Sequence, residues 1–172
     1  MRRLDLVTDC ARCSALCCVA TSFDVSEDFA FDKAAGERCR HLLADYRCAI
    51  HDTLDARGCS GCSIYECYGA GPRVTRIAEA ARFTDRERDE AFRRVRELHE
   101  LLWLLTEAQK RCPASPPDLD AQLSRAIAAL DAIAFDPPRA LLELDLRAHR
   151  CAAHALLREI GRALGGRRYP PA

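Results

Sequence analysis

The sequence predicts a mainly α protein. An irregular, cysteine-rich N-terminal module (residues 1–72) packs on an antiparallel bundle of about three helices with a short C-terminal tail (residues 73–172). Three observations carry that expectation. Nine of the 11 cysteines crowd into residues 10–67, a stretch too poor in apolar residues to build a core of its own. From Thr84 onward, apolar residues recur mostly at spacings of three and four, the period of a helix that buries one face. No segment carries the alternation of a half-buried strand.

Residues 1–9 are a short polar lead. Between Cys10 and Pro72, short runs at His41–Leu43 and Ala49–Leu54 are long enough for a helical turn or two. Gly58, Gly61, Gly69 and the Gly71-Pro72 pair mark turns. A turn or short helix is expected at 74–82. Thr84-Asp85-Arg86-Glu87 reads as a capping box. Behind it, Phe92, Val95, Leu98, Leu101, Leu102 and Leu105 form the stripe of a helix running to about Arg111. The prolines after Cys112 break the chain. Ser115 followed by Pro116 opens a second helix with Leu119, Leu123, Ile127 and Leu130 on its buried face. Asp136-Pro137-Pro138 repeats that start signal for a third stretch from about Pro137 to Leu164, with a kink near Asp145. It buries Leu141, Leu142, Leu146, Leu156, Ile160 and Leu164, and Gly165-Gly166 caps it.

Composition narrows function. Formal net charge is zero, and the 24 arginines, against two lysines, are not clustered. No nucleic-acid partner is therefore expected. The longest apolar run, Leu101–Leu105, is far short of a membrane span, and Met1-Arg2-Arg3 has no apolar run behind it to make a signal peptide. A soluble, cytoplasmic protein is expected, with no membrane partner. In that compartment thiols stay reduced, so dense cysteines point to metal or redox chemistry ahead of a disulfide framework.

Cys10-x2-Cys13 has the spacing with which a tight turn aims two sulfurs at one ion. The adjacent Cys17 and Cys18 point apart, and so are more naturally split between two sites or used by a polynuclear cluster. Eight thiolates would fill two four-cysteine zinc sites or hold iron–sulfur clusters. Arg12, Arg38, Arg40 and Arg47 are candidates for the surrounding charge partners. By spacing alone, Cys59-x2-Cys62 is the second knuckle.

Cys112 and Cys151 stand apart and read as ordinary buried or half-buried residues. His51 is read as a surface residue or an outer partner. His149 and His154 do not share a helix face. His99 lacks the second histidine of His-Glu-x-x-His, because Trp103 occupies that position. Trp103 itself is expected in the core or as an interface anchor, and Tyr65 and Tyr68 as shields beside Cys67. No phosphate loop and no catalytic residue can be nominated.

The segment Cys10-x2-Cys13-x3-Cys17-Cys18, Cys39-Arg-His-Leu, Asp45-Tyr-Arg-Cys48-Ala-Ile-His51 and Cys62-Ser-Ile-Tyr-Glu-Cys67 resembles the YkgJ-type cysteine-cluster family, described as zinc- or iron-chelating domains. The chain also resembles the N-terminal region of actinobacterial pentapeptide-repeat proteins. It shares with them Leu16-Cys17-Cys18-Val19-Ala20, Asp28-Phe29-Ala30, Tyr65-x-Cys67-x-Gly69-Ala70-Gly71 and Leu98-His99-Glu100-Leu101-Leu102-Trp103. The resemblance implies Cys10, Cys13, Cys17, Cys18, Cys39, Cys48, Cys62 and Cys67 as metal ligands. Cys59 stands where relatives tend to carry an apolar residue, which sets it aside. The five-residue repeats are missing, so the chain is either a stand-alone module or a truncated one, and repeat-based DNA mimicry is not carried over.

These expectations lead to a metal-binding module with two zinc ions or with iron. Its metal is structural and its role is accessory, binding an unidentified protein partner; enzymatic activity is not favoured. The rivals are an iron–sulfur redox or protein-modifying component and a cytosolic thiol redox sensor.

Overall fold

A computed structural model describes residues 5–112 and 116–165, with side chains to residue 163. Six helices occur in it: α1 (Leu16–Ala20), α2 (Ser60–Ser63), α3 (Ala70–Ala81), α4 (Asp85–Arg111), α5 (Pro117–Ala134) and α6 (Arg147–Gly165). Single 3-10 turns lie at Cys10–Arg12, His51–Thr53, Asp55–Arg57 and Ala140–Leu142. Among the described residues the only β pairing is two isolated bridges, Phe23 with Lys33 and Leu42 with Cys48. The protein is mainly helical.

Helix α4 begins as its sequence dictates. Thr84 accepts from the Glu87 amide at 3.3 Å, and the Glu87 carboxylate accepts from the Thr84 amide at 2.8 Å, so both ends of the capping box are closed. The whole predicted stripe of α4 is buried. Its N-terminal half, through Phe92 and Val95, packs with Leu16 and Ala20 of α1 and Val74 and Ala78 of α3. Its C-terminal half, through Leu98, Leu102 and Leu105, packs with Leu119 and Leu123 of α5 and Ile160 of α6. Each such leucine taken from water contributes about 1.5–3 kcal/mol. One helix therefore serves two cores, one shared with the cysteine-rich segment and one with the C-terminal helices.

Several boundaries differ from expectation. The short helix expected at 74–82 starts earlier, at Ala70. The third helical stretch does not run from Pro137. Residues 137–146 make one 3-10 turn and irregular chain, and α6 begins at Arg147. The physical reason is Asp145: its carboxylate accepts from the Arg147 amide at 3.0 Å and pairs with the Arg147 guanidinium at 2.7 Å, which starts a new helix where a kink was expected. Leu141 and Leu146 are buried without a continuous helix beneath them. Ser115, Gly166 and the C-terminal tail lie outside the described residues, as does the side chain of Leu164.

No described helix is long and apolar enough to cross a membrane.

Candidate metal centre

The cysteines are presented by turns. Asp9 accepts from the Ala11 amide at 3.0 Å and caps the 3-10 turn that carries Cys10. Ala15, with φ of 55°, turns the chain from Cys13 into α1. The single turn of α1 then carries Cys17 and Cys18, whose sulfurs lie 4.0 Å apart. Cys39 is tied to α1 by its amide, which donates to the Cys18 carbonyl at 2.9 Å. Tyr46, with φ of 66°, turns the chain back toward Cys48. Cys62 lies in α2, where its amide donates to the Cys59 carbonyl at 3.0 Å.

The thiols fall into two neighbourhoods. Cys10 is raised first by partial burial and then by Cys13 and Cys67, with a smaller effect of Cys18 from across the adjacent pair. Cys13 is raised by burial and, more weakly, by Cys67. Gly71 shows how close these two sulfurs come: a Cβ there would meet the Cys13 sulfur at 2.7 Å and the Cys67 sulfur at 3.6 Å. Only a residue without a side chain fits between them and the start of α3. Cys17 is raised by the hydrogen bond it shares with Cys18 and by burial, with smaller effects of Cys13 and Cys10. Cys10, Cys13, Cys17 and Cys67 make the first group.

The second group gathers on Cys18. Cys39, Cys48 and Cys62 are all raised by burial first, and Cys18 acts on each. Cys62 is pushed up to about 11. Cys18 itself is pulled down to about 7 by the hydrogen bond with Cys17 first, then by Lys33 and Arg38, against its burial. Its thiolate is thus the favoured anion of the adjacent pair. Cys59 belongs to this neighbourhood too. It is buried, its S–H donates to the Arg57 carbonyl at 3.7 Å, and it acts on Cys39, Cys48 and Cys62.

Donors already converge on these sulfurs. The amides of Leu16 and Ala15 favour the Cys13 thiolate, as does the Thr75 hydroxyl. The His41 amide does the same for Cys39 and the Ile50 amide for Cys48. The Tyr65 hydroxyl is buried without a hydrogen-bond partner. Burial raises its pKa most, the nearby Arg96 guanidinium works against that, and the charges of Cys17 and Cys67 add to the rise. Among the described residues, no group of three or more His, Cys, Asp or Glu side chains stands in ligating geometry. The donor set, the N–H and O–H groups aimed at sulfur and the unpartnered Tyr65 hydroxyl nevertheless fit thiolate-bound metal.

The charge partners differ from those expected. Arg12 is exposed and pairs with Asp9 at 2.5 Å, and Arg40 lies 4.0 Å over the Phe31 ring. Of the four arginines nominated, Arg38 is the one that acts on Cys18. The larger contributor is Lys33, which sequence reasoning passed over. It is 3% exposed. Its ammonium donates to the carbonyls of Val19, Ala34 and Glu37 at 3.1, 3.2 and 2.9 Å, and to that of Thr21. Asp89 of α4, also buried, extends its field to this lysine. A lone lysine gives no signal in sequence, because its carbonyl cage exists only once the loop has closed.

Among the remaining candidates, His51 is exposed and 3.4 Å from Asp52. Cys112 is buried, whereas Cys151 is exposed, not the half-buried residue expected. Trp103 packs tilted against Tyr68, 5.3 Å between ring centroids.

The protein so defined is a mainly helical chain with two thiol groups joined at Cys17–Cys18. The uncharacterized protein YybG of Bacillus subtilis (strain 168) is similar to it, 36% identical over 159 residues that cover 89% of this chain and 56% of the relative. The chain thus spans about half the length of the curated relative it matches. No family model matches the chain, and no solved structure matches it.

Proposed function

We propose that residues 10–67 form a metal-binding module of the YkgJ type with two centres, docked on a bundle of the C-terminal helices. Cys10, Cys13, Cys17 and Cys67 hold one centre, and Cys18, Cys39, Cys48 and Cys62 hold the other. The metal is zinc or iron, and when bound it cross-links loops that have little apolar core of their own. Cys59 remains a buried thiol beside the second centre. The role of the whole is accessory, presenting a surface to a protein partner in the cytoplasm. The observation that carries this reading is geometric: the Cys13 and Cys67 sulfurs meet at Gly71, while Cys39 is tied to Cys18 on the other side of the Cys17–Cys18 pair, with N–H and O–H donors that favour the thiolates of Cys13, Cys39 and Cys48.

Elemental analysis of the chain purified without oxygen, beside Cys17→Ser and Cys18→Ser, tests it. Each substitution is expected to lower bound metal by about half, since each removes one ligand from one four-thiolate centre. Purified chain without metal would end the proposal, and loss of all metal from either single variant would end the two-centre division.

A second reading, an iron–sulfur redox component, is favoured by the Tyr65 hydroxyl, which is buried near Cys17 and Cys67 with Arg96 beside it. Hydrogen bonds to cluster sulfur tune reduction potential. Acid-labile sulfide in the same samples would select this reading, and colourless zinc protein would remove it.

A further inference from the structure

His99 stands at the middle of α4, 0% exposed, on a helix whose other buried positions are almost all apolar. Its Nδ1–H donates to the Tyr68 carbonyl at 2.7 Å, while Nε2 is buried and has no hydrogen-bond partner. An apolar residue there would fill the space without leaving a nitrogen unpaired, so the imidazole has to be explained by what Nδ1 holds. Burial keeps it uncharged, pushing it down to about 4.

What it holds is the turn that follows Cys67. Tyr68 has φ of 51° and Gly69 φ of 74°, two successive left-handed residues, an unfavourable conformation for a tyrosine. A Cβ on Gly69 would collide with the Asp5 carbonyl. The turn is closed by the Ala70 amide, which donates to the Cys67 carbonyl at 2.9 Å. The Tyr68 carbonyl is thereby directed at α4, where it needs a donor. Arg96 and Trp103, three residues before His99 and four after it, lie on the same helix face. Arg96 lies 5.5 Å from the Tyr65 ring and 5.9 Å from that of Tyr68, and Trp103 packs at a tilt against Tyr68. The three side chains grip the segment Tyr65–Tyr68, and Cys67 lies within it.

We propose that His99 is a positioning residue for Cys67. By holding the Tyr68 carbonyl it fixes the left-handed turn that delivers the Cys67 sulfur to Cys13, and it makes the first thiol group dependent on α4. The consequence for metal rests on the two-centre reading above. The consequence for the position of Cys67 does not.

The experiment compares the full chain with His99→Leu and His99→Asn. The Asn side-chain amide can donate from near the place of Nδ1–H, whereas Leu fills the space without a donor. Alkylation of each cysteine in native protein is followed by mass mapping, and bound metal is measured alongside. In His99→Leu, alkylation of Cys67 and Cys13 is expected to rise about tenfold, the scale on which outer partners affect metal sites. Cys39, Cys48 and Cys62 keep their wild-type rates, and metal falls by about half. In His99→Asn, protection and metal are retained. Any other alkylation pattern overturns the proposal, including unchanged Cys67 protection in His99→Leu or uniform labelling of every cysteine in either variant. Wild-type chain without metal would defeat the metal reading alone, because the protection of Cys67 would still decide the role of His99.

Discussion

The two thiol groups differ in what holds them. The first is built against helices: Cys67 is a member of the core formed by α1, α3 and α4, Cys13 and Cys17 pack on that core, and Gly71 of α3 separates two of the sulfurs. The second, with Cys18 on α1 and Cys62 in the four-residue α2, is otherwise built in loops. Its frame is the Lys33 ammonium with its four carbonyls, the ring stack of Phe23 on Phe29 at 4.2 Å, and the edge contact of Phe23 with Phe31 at 5.2 Å. The contrast is one of scaffolding. A helix fixes a ligand through packing that exists without metal, whereas a loop of this length needs a cross-link to define it. The first group should therefore keep part of its arrangement when metal is absent, and the second should not.

Metal removal is the largest perturbation that breaks this contrast. Chelation under reducing conditions is expected to unfold residues 18–62, with loss of folding free energy on the order of 10 kcal/mol. Helices α4, α5 and α6 should keep hydrogen-exchange protection through their shared core. Equal loss of protection in α5 and in the loops would mean that the two regions fold as one unit. Unchanged protection everywhere would mean that metal does not hold the loops.

Lys33→Met comes next. Methionine keeps much of the side-chain volume but takes the ammonium from the carbonyls of Thr21 and Glu37, and leaves those of Val19 and Ala34 with only the Gly36 and Glu37 amides, around a side chain that is itself buried. A cost of about 3 kcal/mol is expected, read as a lower denaturant midpoint. Protease cleavage should appear first between residues 19 and 37. An unchanged midpoint would mean that water replaces the ammonium at no cost.

How much of this was legible in sequence follows the same division. The period of Phe92, Val95, Leu98, Leu101, Leu102 and Leu105, together with the Thr84–Glu87 box, is local information, and α4 could be read from it almost to the residue. The start of α6 could not. Asp136-Pro137-Pro138 and Asp145 both carry start signals, and Leu141 and Leu146 satisfy the helical period although the chain between them is irregular. The eight candidate thiols were legible as a set, but their neighbourhoods were not. Cys67 joins Cys10 and Cys13 from the far end of the segment, and only the packing of α3 on α1 brings them together. His99 was read against a protease motif and discounted, because its partner is a backbone carbonyl and backbone carbonyls have no sequence signature.

The smallest expected effect sharpens the contrast at a single hydroxyl. Thr75 of α3 accepts from the Ser14 amide at 3.0 Å and favours the Cys13 thiolate with its own hydrogen. The link runs from backbone to hydroxyl to sulfur, and it belongs to the first group alone. Thr75→Val keeps the shape and removes these two bonds and the 3.1 Å hydrogen bond with the Ser14 hydroxyl, at an expected cost of about 1 kcal/mol in stability. Metal bound by Cys10, Cys13, Cys17 and Cys67 should exchange about tenfold faster, as when an outer partner of a metal ligand is lost. Exchange at Cys18, Cys39, Cys48 and Cys62 should keep its wild-type rate, because Thr75 does not act on them: Cys39 and Cys48 take backbone amides, and Cys18 takes charge from Lys33 and Arg38. Competition with a chromophoric chelator, resolved into a fast and a slow phase, reads both rates in one sample. Acceleration of both phases together would mean that the groups share one electronic environment across the 4.0 Å between Cys17 and Cys18, and would favour a single polynuclear cluster over two centres.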